Sequence, residues 1–309
     1  VLPLAPTETA ANFPYEENCG AIAPRSGLPR WPESTDRVSK ILLSVRYRPR
    51  NGLAARLGDR KLLVDVIDYP GEWLLDLPLL EQEYRQWSRN SLEKARMPQR
   101  EPAAARWLDM LDSLSEDQKY DEALAHDLAA AYTEYLGACR KMGLSGLTPG
   151  RFLMPGELDG SPALTFTPMK QGRTRRGSLR AEFQRRYEAY RRLVIKPFFR
   201  DHFARLDRQI VLVDLLSALD HGPGAVADLR EAMTEVLRAY RPGVNSWLGQ
   251  LLGSRAIDRI MFAATKADHV HHTQHGRMTA ILKTLLRDSV ERAAFRGAET
   301  DSISLASLR

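Results

Sequence analysis

A chain of 309 residues with 43% hydrophobic and 27% charged residues can bury at least one sizeable core and is globular. Its formal charge of +6 and sequence pI near 9.4 leave an excess of base that helps meet an anionic partner without calling for nucleic acid. Two cysteines, Cys19 and Cys139, stand far apart and outside any C-x-x-C spacing, which argues against a zinc site or disulfide framework and favours a reducing, cytoplasmic setting.

No apolar run approaches the roughly 18 residues of a membrane span, and no signal peptide opens the chain. The expectation is a soluble protein, with any contact to the inner membrane peripheral. The start at Val1 and the apolar alternation of the closing "SISLASLR" lead to the expectation of a piece of a longer protein.

The first thirty residues, rich in Pro, Gly and Asn, have no sustained period and predict an extended or loop segment leading to "WPEST". In "KILLSVRYRP", Leu43, Val45 and Tyr47 alternate with Ser44, Arg46 and Arg48, the pattern of a strand with one wet face, antiparallel or at an edge. "LLVDVI", "QIVLVDLL" (209–216) and "RIMFAAT" (259–265) are nearly continuous in apolar residues, which suits strands covered on both faces in a parallel sheet. Helical stretches around 223–239 and 270–296 go with these strands, so the class is α/β with crossover helices.

Between Leu74 and about Leu206 the strand pattern stops. A long helix is expected from a Ser115/Gln118 capping box to a stop at Gly143. A Gly/Pro-rich loop over 147–172 then leads to a second helical segment, from Ser178 towards Asp207, which Pro197 must kink or divide. These segments make a helical insertion between two strands of one sheet. The predicted organisation is 1–80 and 207–309 as two parts of one nucleotide-binding domain, with 81–206 inserted.

The chemistry begins at "VDVIDYPGEW". An aspartate closing a strand with glycine three residues later is the arrangement nucleotide triphosphatases use to hold magnesium and to bring a backbone N–H to the terminal phosphate. Asp68 and Gly71 fit those roles. In "FAATKADHV" a buried strand runs into Thr265-Lys266-Ala267-Asp268, which resembles the [N/T]-K-x-D guanine-specificity motif of Ras-like GTPases. There the aspartate accepts two hydrogen bonds from the guanine edge, a donor pair adenine lacks. Ser307-Leu308-Arg309 resembles the S-A-K turn of the same proteins, and Thr35 of "WPEST" stands where they carry a magnesium-binding switch threonine. The isolated alternatives are ordinary: a helix-capping aspartate and a loop hydroxyl.

"WPEST", "DYPGEWLLDLPLL", "LDRQIVLVDLL" and "FAATKADHVHH" together resemble the YcjX-like stress-protein family, from about Phe13 to Arg309. That resemblance implies a Ras-like P-loop core, a mostly parallel sheet with one antiparallel edge strand and a large all-helical insertion. It also implies binding of GTP or GDP with Mg2+, in bacterial proteins linked to envelope stress. No G-x-x-x-x-G-K-[ST] occurs in these residues, so the piece by itself is expected to bind nucleotide weakly and to be inactive. Where Ras-like enzymes place a water-orienting glutamine, this chain has Glu72, and slow intrinsic turnover is expected.

The expected site is therefore Gly71 and Glu72 for catalysis, Thr35 and Asp68 for the metal, and Thr265, Lys266, Asp268, Ser307 and Leu308 around guanine. Two other readings stand beside it: an ATPase, and a non-hydrolysing module whose helical insertion binds an envelope-stress or nucleic-acid partner. His269, His271, His272 and His275 are expected to be solvated or supporting groups rather than metal ligands. The basic run with Lys170, Arg173, Arg175, Arg176 and Arg180 reads as a solvated helix face, with Phe183, Tyr187 and Tyr190 packing inward. "LLDLPLL", next to the turn, either moves when the γ-phosphate leaves or packs the insertion onto the sheet.

Overall fold

The computed structural model describes residues 2–4, 11–24, 26–32, 35–48, 59–239, 257, 259–295 and 299–306. The chain divides into two compact units, Val1–Pro70 and Gly71–Arg309.

In the first unit, strands β1 (Leu2–Leu4) and β2 (Ala11–Asn12) and helix α1 (Tyr15–Ile22) precede a long hairpin of β3 (Ser39–Tyr47) and β4 (Arg60–Asp68). β3 pairs antiparallel with β4 over its whole length, Ser39 opposite Asp68 and Tyr47 opposite Arg60, and also takes β1 antiparallel and β2 parallel. Two expectations are corrected here. The opening residues are not all loop: α1 forms, but buries no residue and so leaves no apolar period to detect. β4 is not a covered parallel strand: it runs antiparallel to β3, with Leu62, Leu63 and Val66 exposed. A continuous apolar run records what a strand can bury, whereas its direction is set by its partner.

The second unit opens with a 3-10 segment over Gly71–Glu81 whose Trp73, Leu74, Asp76, Leu77 and Leu79 are buried. Helices α2 (Tyr84–Ala95), α3 (Glu101–Asp112) and α4 (Glu122–Lys141) follow. α4 starts later than the capping box at Ser115 predicts. Tyr120 donates its N–H to the Gly177 carbonyl and the Gln118 carbonyl accepts from Leu179, so this backbone is held by the later segment. Asp121 caps α4 instead, accepting from the Leu124 N–H at 2.8 Å, and Gly143 follows the helix at φ +75° as expected of a stop. Then α5 (Leu179–Tyr190) runs through a π turn at Arg191–Ile195 into α6 (Lys196–Asp201), with Pro197 in the first turn of α6 where its missing N–H costs least. No named strand interrupts 71–207 among the described residues.

The core of this helical region is aromatic. Trp87 stacks on Tyr187 at 4.9 Å, Trp107 on Tyr135 at 5.6 Å, and Phe166 meets Trp87 edge-on at 5.6 Å. Phe183, Tyr187 and Tyr190 are fully buried, as their helical spacing predicts. The basic run stays solvated, but Lys170, Arg173, Arg175 and Arg176 precede α5 instead of lying on a helix face; Lys170 pairs with Asp112 and Arg175 with Asp117 at the surface, while Arg186, further along, is buried against Glu182 and Glu122.

A three-stranded parallel sheet completes the unit, with β6 (Arg259–Ala264) between β5 (Arg208–Val213) and β7 (Glu299–Ser304). Helices α7 (Leu215–Asp220) and α8 (Pro223–Ala239) lie between β5 and β6 in sequence, and α9 (His275–Phe295) between β6 and β7, the crossovers that parallel pairing needs. β6 is covered as predicted; β5 instead alternates, with Ile210 and Leu212 exposed. The class is α/β with a small parallel sheet, but the described strands form two sheets rather than the single one expected. The unit division falls in the Pro70–Gly71 turn and keeps the helical region with the three-stranded sheet.

Candidate functional site

In the first unit, Asp68 is the last residue of β4 and Thr35 lies just before β3. The Thr35 hydroxyl donates to Asp68 Oδ2 at 2.6 Å across 33 residues of sequence. The antiparallel register makes this meeting possible, because it puts Ser39, near the start of β3, opposite Asp68 at the end of β4. A hydroxyl and a carboxylate in contact are hard oxygen donors of the kind magnesium takes.

In the second unit, Gly71 and Glu72 open the 3-10 segment, and the loop after α4 is built directly against it. A Cβ at Gly150 would lie 2.6 Å from the Glu72 carbonyl carbon, so only glycine fits there. Gly150 donates its N–H to Asp76 Oδ1 at 2.7 Å, and Tyr190 donates its hydroxyl to Oδ2 at 2.6 Å. Trp73 Nε1 donates to the Met154 carbonyl at 2.8 Å, and the Arg151 guanidinium lies 3.5 Å over the Trp73 ring. Burial pushes the Asp76 carboxyl up to about 6, against the opposing pull of the Tyr190 hydroxyl and the Arg151 guanidinium. Glu72 itself is ion-paired: Arg140, in the last turn of α4, places Nη2 at 2.7 Å from Oε1.

The remaining predicted residues gather at the carboxyl edge of the parallel sheet, where Val213, Ala264 and Ser304 are in register. Open α/β sheets bind ligands at this edge. Thr265 donates both its N–H and its hydroxyl to the Val213 carbonyl, at 3.0 and 3.3 Å. Lys266 is in the left-handed region at φ 60°, a conformation that costs a non-glycine residue about 1 kcal/mol or more. It is the only non-glycine residue with positive φ among the described residues. Two contacts accompany this conformation: Lys266 Nζ meets Asp214 Oδ2 at 2.7 Å, and the Ala267 N–H donates to the Leu305 carbonyl at 3.1 Å. Asp214 also caps α7 through the Ser217 N–H. Asp268 follows in a single 3-10 turn with its side chain 26% exposed. Ser307 and Leu308 lie outside the described residues.

His275 has Nε2 at 2.7 Å from the Ala267 carbonyl, which fixes the loop, and His271 meets the Thr273 hydroxyl. No group of three or more metal-ligating side chains stands together among the described residues. No helix among them is long and apolar enough to cross a membrane.

Three partners were not predicted: Asp214, Arg140 and Asp76. Asp76 had a signal, a lone carboxylate inside the apolar "LLDLPLL", since such a residue is either exposed or supplied with donors. Asp214 stood at the end of a predicted strand, where ligands bind. Arg140 had none, being one of many arginines on a helix.

The YcjX-like family model, DUF463, matches residues 2–309. A Ras-like GTPase YcjX of Escherichia coli (strain K12) is 40% identical over 307 residues, covering 96% of this chain and 65% of that protein. A second Ras-like GTPase YcjX, of Shewanella oneidensis (strain MR-1), is 34% identical over 318 residues, covering 99% of this chain and 65% of its own length. The chain thus spans just under two thirds of the curated relatives it matches.

Proposed function

The chain belongs to the YcjX-like family, and from that premise we propose that the whole protein is a Ras-like, magnesium-dependent GTPase with slow intrinsic turnover, linked to envelope stress. Residues 1–80 and 207–309 are two parts of its nucleotide domain, and 81–206 is a helical insertion through which a stress-protein partner is engaged. The observation that carries this reading is the Thr35 hydroxyl on the Asp68 carboxylate: two side chains predicted as magnesium ligands meet although 33 residues separate them.

Thr35 and Asp68 would hold the ion, which when bound neutralises phosphate charge. Gly71 offers its backbone N–H to the terminal phosphate and Glu72 orients the attacking water. Thr265 and Lys266 shape the base loop while Asp268 accepts from the guanine edge, with Ser307 and Leu308 closing over the base. In the reaction the water oxygen bonds the γ-phosphorus and the bond to the β–γ bridging oxygen breaks. Its electron pair stays on GDP, and the water proton leaves with phosphate or to solvent.

The test is displacement of a fluorescent GDP analogue from the full-length protein with and without Mg2+. GTP should compete where a hundredfold excess of ATP does not, and Asp268→Asn should move preference toward xanthosine nucleotides. Equal competition by ATP, or unchanged guanine preference in the variant, would remove the base assignment. One observation favours the interaction-module reading: Trp73, Leu77 and Leu79 are locked into the helical core, which suits a segment that does not move with nucleotide state. That reading predicts no phosphate release above blank.

A further inference from the structure

The Glu72–Arg140 contact joins the last turn of α4 to the turn after Gly71. Exposed pairs contribute little to stability, and this one is half-exposed on its arginine side, so stability does not account for its geometry. Both ends are nevertheless held by independent structure. Arg140 follows the fully buried Cys139 in the last turn of α4. Glu72 lies between Gly71 and the buried Trp73, its carbonyl pressed by Gly150, with Trp73 and Asp76 both tied to residues 150–154. The pair is therefore preorganised: neither partner has to be gathered from solvent for the other to find it.

We propose that Arg140 is a positioning residue for the terminal phosphate, holding and neutralising Glu72 so that the turn after Gly71 tolerates a γ-phosphate. This rests on the GTPase reading above. A carboxylate next to Gly71 carries the same sign as the γ-phosphate, so its repulsion falls on GTP and not on GDP. An arginine on that carboxylate removes the penalty selectively, and it is supplied by the helical region rather than by the turn itself.

The experiment uses the full-length protein, with affinities for GDP and for a slowly hydrolysed GTP analogue measured for the parent and for Arg140→Ala, Arg140→Lys, Glu72→Gln and the Arg140→Ala/Glu72→Gln double variant. Arg140→Ala should weaken the GTP analogue about tenfold relative to GDP, the scale expected of one close charge pair. Arg140→Lys should recover most of that ratio as a point charge, and Glu72→Gln should restore it in the Arg140→Ala background. A ratio unchanged within about twofold in Arg140→Ala, with GDP still bound, overturns the proposal and leaves the GTPase reading standing. Equal losses for both nucleotides overturn it too, since they mark a purely structural arginine. A parent that binds neither nucleotide sinks the GTPase reading, and the proposal with it.

Discussion

Substituting Gly150→Ala tests whether the loop after α4 is seated on the turn at Gly71 and Glu72. The added Cβ would stand 2.6 Å from the Glu72 carbonyl carbon, and closer still to its oxygen, whereas carbon atoms pack at about 3.5–4.0 Å. One of the two backbones must therefore retreat by about an ångström. Both are fixed: Gly150 by its N–H on Asp76, and Glu72 by the buried Trp73 beside it. Overpacking of this kind costs about 1–3 kcal/mol, and stretching the Gly150–Asp76 bond adds to it by leaving a buried carboxylate short of a donor. A total near 3 kcal/mol lowers the melting temperature by about 6–12 °C in a unit of this size. Gly137→Ala is the control, because that glycine sits inside α4 and an added methyl there would meet nothing within 4 Å. It should raise stability by about 0.5–1 kcal/mol through helix propensity. Thermal unfolding followed by circular dichroism measures both. A Gly150→Ala protein melting within about 1 °C of the parent would refute the seating.

Asp76 makes stability depend on pH in a direction opposite to that of an ordinary ion-paired carboxylate. Its folded value near 6 lies above the unfolded value of about 3.9, so the folded state holds the proton more firmly and this group's contribution is lost as pH rises through about 6. It should make the protein about 1 kcal/mol more stable at pH 5 than at pH 7, and Asp76→Asn should flatten that part of the profile in urea titrations; an unchanged slope would count against the burial argument. Asp228 accepts from the buried Arg100 and from the N–H groups of Ser145 and Gly146, at 2.6 and 2.8 Å. Asp228→Ala strands a buried guanidinium and should cost about 3–5 kcal/mol, Asp228→Asn less, as read from denaturant midpoints.

Local chemistry made several elements legible from residues alone. The alternation over Leu43–Tyr47 marked a strand, Gly143 marked the end of α4, and the TKAD loop was expected at the end of a covered strand, where β6 delivers it. These are signals carried by neighbours in sequence: side-chain period, backbone freedom and turn chemistry. Even the wrong start for α4 was a sound local inference, outweighed by hydrogen bonds to Gly177 and Leu179.

What sequence could not specify is which groups oppose one another. Arg140 and Glu72 are 68 positions apart, and Lys266 and Asp214 are 52; nothing in either neighbourhood names the other. The direction of β4 belongs to the same class, because its apolar run would serve a parallel or an antiparallel partner equally well. Residue type and spacing determine what each segment can bury, cap or ligate. Pairing across the fold is chosen by the packing of whole elements, and so Thr35 on Asp68, Arg140 on Glu72 and the Gly150 loop on its turn emerge only in three dimensions.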